Sequence, residues 1–248
     1  MSKNFEVLSR IGHDGGASPS DTTSAFDVTV VLDEKQLKPN PKSNYNLRPE
    51  ILRLVQVLFL ASQNSPHCVL FCGVDETDGS AGVCTSVARG LAEEVSQKVC
   101  LMDASIPGSH LEESANVNDS GCDSGDLIRP FDGAMRRIGD NLWFYSTKKA
   151  SSARIIKGGT VDLCSALLRL RQEFDYVLVH TAPAGTDRVA SVLGQVADGV
   201  VLVLEANSTR RVTARNAKEA LEAAKVRLIG TVLNNRTFPI PEKLYRSL

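Results

Sequence analysis

Cys68-Val69-Leu70-Phe71-Cys72-Gly73-Val74-Asp75-Glu76-Thr77-Asp78-Gly79-Ser80-Ala81-Gly82 is the stretch on which the fold turns. Its first six residues are almost wholly apolar, the pattern of a strand buried on both faces. Four polar residues and Gly79 then mark a turn, and from Ala81 to Glu94 apolar residues recur at helical spacing. A strand, a glycine turn and a helix start can together hold an anion. Glycine lets backbone N–H groups converge, and the helix N-terminus adds partial positive charge. Gly73, Gly79 and Gly82 therefore read either as an anion-binding nest or as a plain strand-to-helix turn.

Outward from this stretch, short apolar runs alternate with helical ones. Strands are predicted at Cys68–Gly73, Val99–Asp103, Leu142–Tyr145, Tyr176–His180, Val200–Glu205 and Arg227–Leu233. Helices are predicted at Ala81–Glu94, Thr160–Glu173, Thr186–Ala197 and Thr209–Ala224, with another over Arg48–Gln63 that carries Pro49 in its first turn. Continuous apolar strands alternating with helices give an α/β fold, a mainly parallel sheet flanked by helices. Ahead of it, Phe5, Leu8 and Ile11 suit a short helix. Gly15-Gly16-Ala17-Ser18-Pro19 and Lys38-Pro39-Asn40-Pro41-Lys42 read as an extended lead-in. Residues 1–46 are thus expected to form a flexible arm and 47–248 one α/β domain. The stretch from Ser105 to Asp126, rich in Ser, Asn, Asp and Gly, reads as a mobile loop.

The 248 residues suit one large domain, and 28 basic against 29 acidic side chains leave no global field favouring nucleic acid. The longest apolar run, Leu54 to Ala61, is far short of the roughly 18 residues that span a bilayer. The start of the chain lacks the apolar core of a secretory signal. The six cysteines, Cys68, Cys72, Cys84, Cys100, Cys122 and Cys164, form no C-x-x-C pair and read as free thiols of a reducing cytosol. Cys84 falls in the first turn of a helix, which can lower a thiol pKa, but no partner base is visible and a small core residue is the plainer reading.

In α/β sheets ligands gather at the C-terminal ends of the strands. A phosphate loop in this setting uses a lysine on the β- and γ-phosphates, a hydroxyl on magnesium and acids at neighbouring strand ends. The strand Val99–Asp103 ends in Asp103-Ala104-Ser105, which keeps one aspartate. The strand Asp175-Tyr176-Val177-Leu178-Val179-His180 ends in His180 where an acid would serve. His180 reads as a metal ligand or, more simply, as a histidine with one hydrogen bond at a strand end.

These residues carry a resemblance. From about Glu50 to Asn235, about three quarters of the chain, the sequence resembles the cytoplasmic domain of bacterial tyrosine kinases of the polysaccharide-biosynthesis type. Those kinases belong to the MinD/ParA branch of P-loop NTPases. Thr77-Asp78-Gly79-Ser80-Ala81-Gly82 lies without gaps over the family's Gly-Glu-Gly-Lys-Ser-Thr loop, and Asp103-Ala104-Ser105 over its Asp-Ala-Asp. Asp175 to Pro183 lies over Asp-Tyr-Val-Ile-Ile-Asp-Thr-Pro-Pro. Ala197 to Glu205 and Ile229 to Asn235 match the later strands.

The resemblance implies a P-loop NTPase fold of the MinD/ParA kind in which four functional positions differ. Ser80 stands for the lysine, Ala81 for the magnesium hydroxyl, Ser105 for the second aspartate and His180 for the Walker B aspartate. Asp103 is the retained acid, so no metal site and no catalytic residue is expected. Gly79, Ser80, Ala81, Gly82, Asp103 and Asn234, which resembles an adenine-contacting asparagine, are what a vestigial nucleotide site would comprise. Asn234 also reads as a turn residue. The C-terminal Pro239-to-Leu248 segment has one tyrosine, Tyr245, where these kinases end in a tyrosine cluster.

By the same resemblance, Glu50-x-x-Arg53-x-x-Gln56 partly matches a helix used there for self-association. A local surface pair of Glu50 with Arg53 is the other reading. Arg210, Arg211, Arg215 and Lys218 make a basic helix face, solvated or turned to an acidic or membrane-proximal partner. The expectation is a degenerate kinase homologue acting as a regulatory or scaffold subunit in exopolysaccharide or capsule biosynthesis or export. Its implied partners are a membrane-embedded chain-length or export protein or an active kinase of the same fold, with cytoplasmic location at the inner membrane face. The alternatives are a working ATP-dependent tyrosine autokinase or ATPase with an unusual site, and a nucleotide- or anion-responsive switch that binds a ligand such as ATP without turning it over.

Overall fold

In the computed structural model the described residues are 28–33, 49–61, 64–75, 79–105, 111–115, 135–147, 160–186 and 188–236. The strands are β1 (Val28–Asp33), β2 (Cys68–Gly73), β3 (Val99–Asp103), β4 (Met135–Arg137), β5 (Leu142–Ser146), β6 (Tyr176–Thr181), β7 (Gly199–Glu205) and β8 (Leu228–Arg236). The helices are α1 (Pro49–Val55), which runs on as a π-helical turn over Gln56–Leu60, then α2 (Ser80–Glu94), α3 (Leu111–Ser114), α4 (Thr160–Glu173), α5 (Val189–Val196) and α6 (Arg211–Ala223). The eight strands form one sheet in the order β1-β8-β7-β2-β6-β3-β5-β4. Every pairing is parallel except β4 against β5.

Alternation along each strand sorts the core into two layers. Cys68, Leu70, Cys100, Met102, Val177, Val179, Val200 and Leu202 pack with Leu163, Leu167 and Leu170 of α4, Leu193 of α5 and Leu221 of α6. Their neighbours Val69, Phe71, Leu101, Leu178, Val201 and Val203 face the other way, onto Ile51, Leu54 and Val55 of α1 and Val83, Val87 and Leu91 of α2. A sheet covered on both faces is what near-continuous apolar strands require. Five of the cysteines lie among the described residues, all with free thiols, and four of these are fully buried. No helix of the described residues is long and apolar enough to cross a membrane.

The predicted strands and helices occur, some with shifted ends, and the differences have physical causes. Val28–Asp33 lies in the stretch taken for a flexible arm yet pairs in parallel with β8 from Val28 opposite Gly230 to Val31 opposite Leu233. Its β-branched run Val28-Thr29-Val30-Val31 favours a strand, and the surrounding Gly, Pro and Ser hid that signal. The loop expected from Ser105 to Asp126 contains the single turn α3, whose Leu111 is fully buried. Strand β4, three residues long with two arginines, is too short for periodicity to register. The predicted helix near Phe5–Ile11, most of the 105–126 loop and the Pro239–Leu248 tail fall outside the described residues.

Candidate functional site

Three elements bring their ends together at the C-terminal edge of the sheet. In β3 and β6 the register sets Asp103 opposite His180. The alternation that turns Leu101 and Leu178 toward α2 carries Asp103 and His180 onto the same face two residues later. Helix α2 begins there with Ser80. Its N-cap, Gly79, sits in the left-handed region at φ 65°, a conformation glycine adopts without a Cβ penalty. The sequence reading placed these residues near one another as relics, and the structure joins them directly.

Ser80 Oγ and His180 Nε2 are 3.1 Å apart in a buried contact. The other ring nitrogen, Nδ1, stands 3.9 Å from Asp103 Oδ1, beyond hydrogen-bond length, and has no hydrogen-bond partner among the described residues. Asp103 Oδ1 accepts from the Ser105 amide at 3.1 Å and from the Ser105 hydroxyl. The residue that replaces an acid in the resemblance therefore serves here as a donor to the remaining one. Burial pushes the Asp103 carboxyl up, but the His180 ring and the Ser105 hydroxyl and amide outweigh it and hold the pKa below the usual carboxylate value.

An ionised Asp103 fixes the tautomer of His180. A bare Nδ1 lone pair facing the carboxylate would repel it, so the proton belongs on Nδ1, leaving Nε2 as the acceptor for the Ser80 hydroxyl. Below this set, Cys84 is fully buried, and burial together with the Asp103 charge raises its pKa well above that of a free thiol. Cys84 is thus the core residue of the two readings, since the helix N-terminus does not overcome its desolvation.

Asn234 ends up beneath the turn. It is fully buried, with its amide so close to Gly79 that a Cβ on that glycine would overlap Asn234 Nδ2. Glu205, at the end of β7, approaches Asn234 Nδ2 at 3.5 Å and takes a hydrogen bond from Asn235 Nδ2 at 2.8 Å. Asn234 packs here against protein. Glu205 was missed by the sequence reading, although it ends a strand beside the glycine turn as Asp103 and His180 do. Ala81 and Gly82 lie in the first turn of α2 and Gly73 ends β2.

Other predicted residues lie apart from this set. Glu50 and Arg53 sit on α1, where Glu50 Oε2 is buried without a hydrogen-bond partner among the described residues and Arg53 is exposed, so the local pair is not formed. Arg210, Arg211 and Arg215 are exposed at the start of α6, and Lys218 pairs with Glu222 at 3.6 Å. Among the described residues no three His, Cys, Asp or Glu side chains gather to hold a metal ion, and His180 makes a strand-end contact to serine.

No family model matches the chain. The chain is 40% identical over 85 residues to the tyrosine-protein kinase YwqD of Bacillus subtilis, covering 34% of this chain and 33% of that protein. It is 32% identical over 65 residues to the tyrosine-protein kinase CpsD of Streptococcus agalactiae, covering 26% of this chain and 28% of that one. The matches thus span about a third of the length of these curated relatives. Among solved structures, the chimerical protein CapA2B2 aligns with TM-score 0.70 at 15% identity over 94% of this chain and 99% of its own. The kinase domain of the Escherichia coli tyrosine kinase ETK aligns with TM-score 0.64 at 15% identity over 88% and 93%. The MinC:MinD complex of Aquifex aeolicus aligns with TM-score 0.54 at 17% identity over 73% and 72%. The sequence relatives are bacterial tyrosine-protein kinases, and the fold is the one that tyrosine-kinase domains share with ParA and MinD P-loop ATPases.

Proposed function

We propose that this chain is a kinase-fold protein that has given up phosphoryl transfer and acts as a regulatory or scaffold subunit in exopolysaccharide or capsule biosynthesis or export. One observation carries the reading. By the resemblance Ser80 stands where the phosphate-gripping lysine would and His180 where the Walker B acid would, and the Ser80 hydroxyl faces His180 Nε2 at 3.1 Å. Two groups that would serve a nucleotide and its metal serve each other instead.

The residues present do not fit magnesium-ATP. Ser80 offers no cation to the β- and γ-phosphates, and Ala81 offers no oxygen to magnesium. Asp103 is already engaged by Ser105, and Asn234 is packed beneath Gly79. A lysine or metal contact to a transferring phosphoryl group supplies several kcal/mol of transition-state stabilisation, and here more than one is missing.

The partner in this reading is a membrane-embedded chain-length or export protein, or an active kinase of the same fold that meets the chain at the inner face of the cytoplasmic membrane. Calorimetric titration of the chain with ATP, with and without magnesium, tests the proposal. No magnesium-dependent heat and no turnover are expected. Magnesium-independent binding would mark a nucleotide switch, and magnesium-dependent binding with turnover would overturn the proposal in favour of an enzyme.

A further inference from the structure

We propose that Ser80, His180 and Asp103 form a nucleophile, base and orienting carboxylate for acyl transfer, with a small acyl ester as the substrate class. The inference rests on the geometry of these three residues and not on the fate of phosphoryl transfer. Serine is a weak nucleophile until an adjacent base takes its proton, and the base needs a lone pair aimed at the hydroxyl. The order observed is hydroxyl, Nε2, Nδ1, carboxylate, with separations of 3.1 Å and 3.9 Å at its two joints. The second joint is longer than a formed hydrogen bond, and catalytic contacts of this kind commonly tighten only when substrate is bound.

Three further features fit the chemistry. Asp103 is anionic and fully buried, so its field acts on His180 without screening by water and selects the Nδ1–H tautomer. His180 is itself 6% exposed, and its buried Nδ1 has no hydrogen-bond partner among the described residues. The serine opens a helix directly after a strand and a left-handed glycine. The first intrahelical bond of α2 runs from the Val83 amide to Gly79 O, so the Ala81 and Gly82 amides have no acceptor within the helix. Such amides beside a nucleophile are donors for an oxyanion.

The step balances as follows. Ser80 Oγ attacks the ester carbonyl carbon while its proton passes to His180 Nε2. The tetrahedral adduct collapses, the C–O bond to the alcohol breaks, and the leaving oxygen takes the proton from Nε2. Water then attacks the acyl-serine, again giving its proton to Nε2, and release of the carboxylic acid returns that proton to Oγ. Ser80 is 7% exposed, so the probe carries a small acyl group, acetyl.

Incubation of the full chain with p-nitrophenyl acetate, following p-nitrophenolate release and mapping acetylated peptides by mass spectrometry, tests the inference. The expected result is a burst of phenolate with acetyl on Ser80, abolished in Ser80→Ala and at least about 100-fold slower in His180→Gln, as loss of a general base implies. Ser80→Cys keeps a nucleophile in place, and its acylation should fall when His180→Gln is added, a dependence that a thiol reacting with the ester on its own would not show. Asp103→Asn should slow the burst and move the acid limb of its pH profile, because the imidazolium loses its counter-charge. Thermal melts of each variant separate chemistry from unfolding. Acetyl confined to lysines or the N-terminus, or a rate unchanged in folded Ser80→Ala, would overturn the proposal. Neither result bears on the ATP titration, which reports on a different ligand.

Discussion

Replacing Gly79 by alanine should destabilise the protein by about 3 kcal/mol, and the sum can be worked from two separate causes. Gly79 has φ 65°, and a non-glycine residue in that region loses roughly 1–2 kcal/mol. The added Cβ would also overlap Nδ2 of Asn234, which is fully buried beside Glu205 and has little room to retreat. Forcing one methyl into such a packed site costs a further ~1–3 kcal/mol. Urea unfolding at 25 °C, with the slope compared to that of the wild-type chain, gives the difference directly. A double-mutant cycle then separates the causes. In an Asn234→Ala background the overlap is gone, so Gly79→Ala should cost only the backbone share, about 1–2 kcal/mol. A cost below about 0.5 kcal/mol in the native background, or one unchanged when Asn234 is removed, would show that the turn does not rest on Asn234 and refute the reasoning.

Two other outcomes follow from the same structure. Asp103 has its pKa held below the usual carboxylate value by His180 and Ser105, so the unfolded chain binds more protons in acid than the folded one. Its stabilisation is complete above the unfolded pKa and is lost as pH falls through the folded one. The stability gap between wild type and Asp103→Asn should therefore narrow below about pH 4, and two parallel stability–pH curves would contradict this. At the opposite edge of the sheet, Asp198 accepts the backbone amides of His67 at 2.9 Å and Cys68 at 2.8 Å and pairs with Arg171 at 2.6 Å. Asp198→Ala should cost about 2 kcal/mol in urea unfolding, with partial exposure of the pair keeping the figure modest. A loss within error of zero would mean that the entry to β2 is held by other contacts.

Much of the fold was legible because buried parallel strands leave a strong apolar signature. Cys68–Gly73 and Val99–Asp103 are predicted to the residue, since each is a run of apolar side chains closed by glycine or aspartate. Val28–Asp33 was hidden because an edge strand borrows its partner from β8, more than two hundred residues further on, and its surroundings are rich in turn formers. At the site, the residues were legible one at a time, but their relation was not. That Ser80 faces His180 depends on where α2 starts relative to the end of β6, a distance no local pattern encodes. The pairing of Asp103 with His180 was within reach. Both end apolar strands, and counting in twos from Leu101 and Leu178 places them on one face once the strands are known to be neighbours.

Polar groups in a core are costly unless they find partners. At this sheet edge they line up in a particular order. Ser105 donates to Asp103, Asp103 Oδ1 stands 3.9 Å from His180 Nδ1, and His180 Nε2 faces the Ser80 hydroxyl. An apolar residue in place of Asp103 would let the pocket close at lower cost, since burial of a carboxylate without a task favours neutral substitutes. Instead the carboxylate is kept, fully buried and ionised, beside a histidine whose second nitrogen has no hydrogen-bond partner among the described residues. A plug would need only the Ser80–His180 contact. A buried anion maintained behind that contact adds nothing to the plug, and what it does supply is a fixed proton on Nδ1 and a lone pair aimed at a hydroxyl.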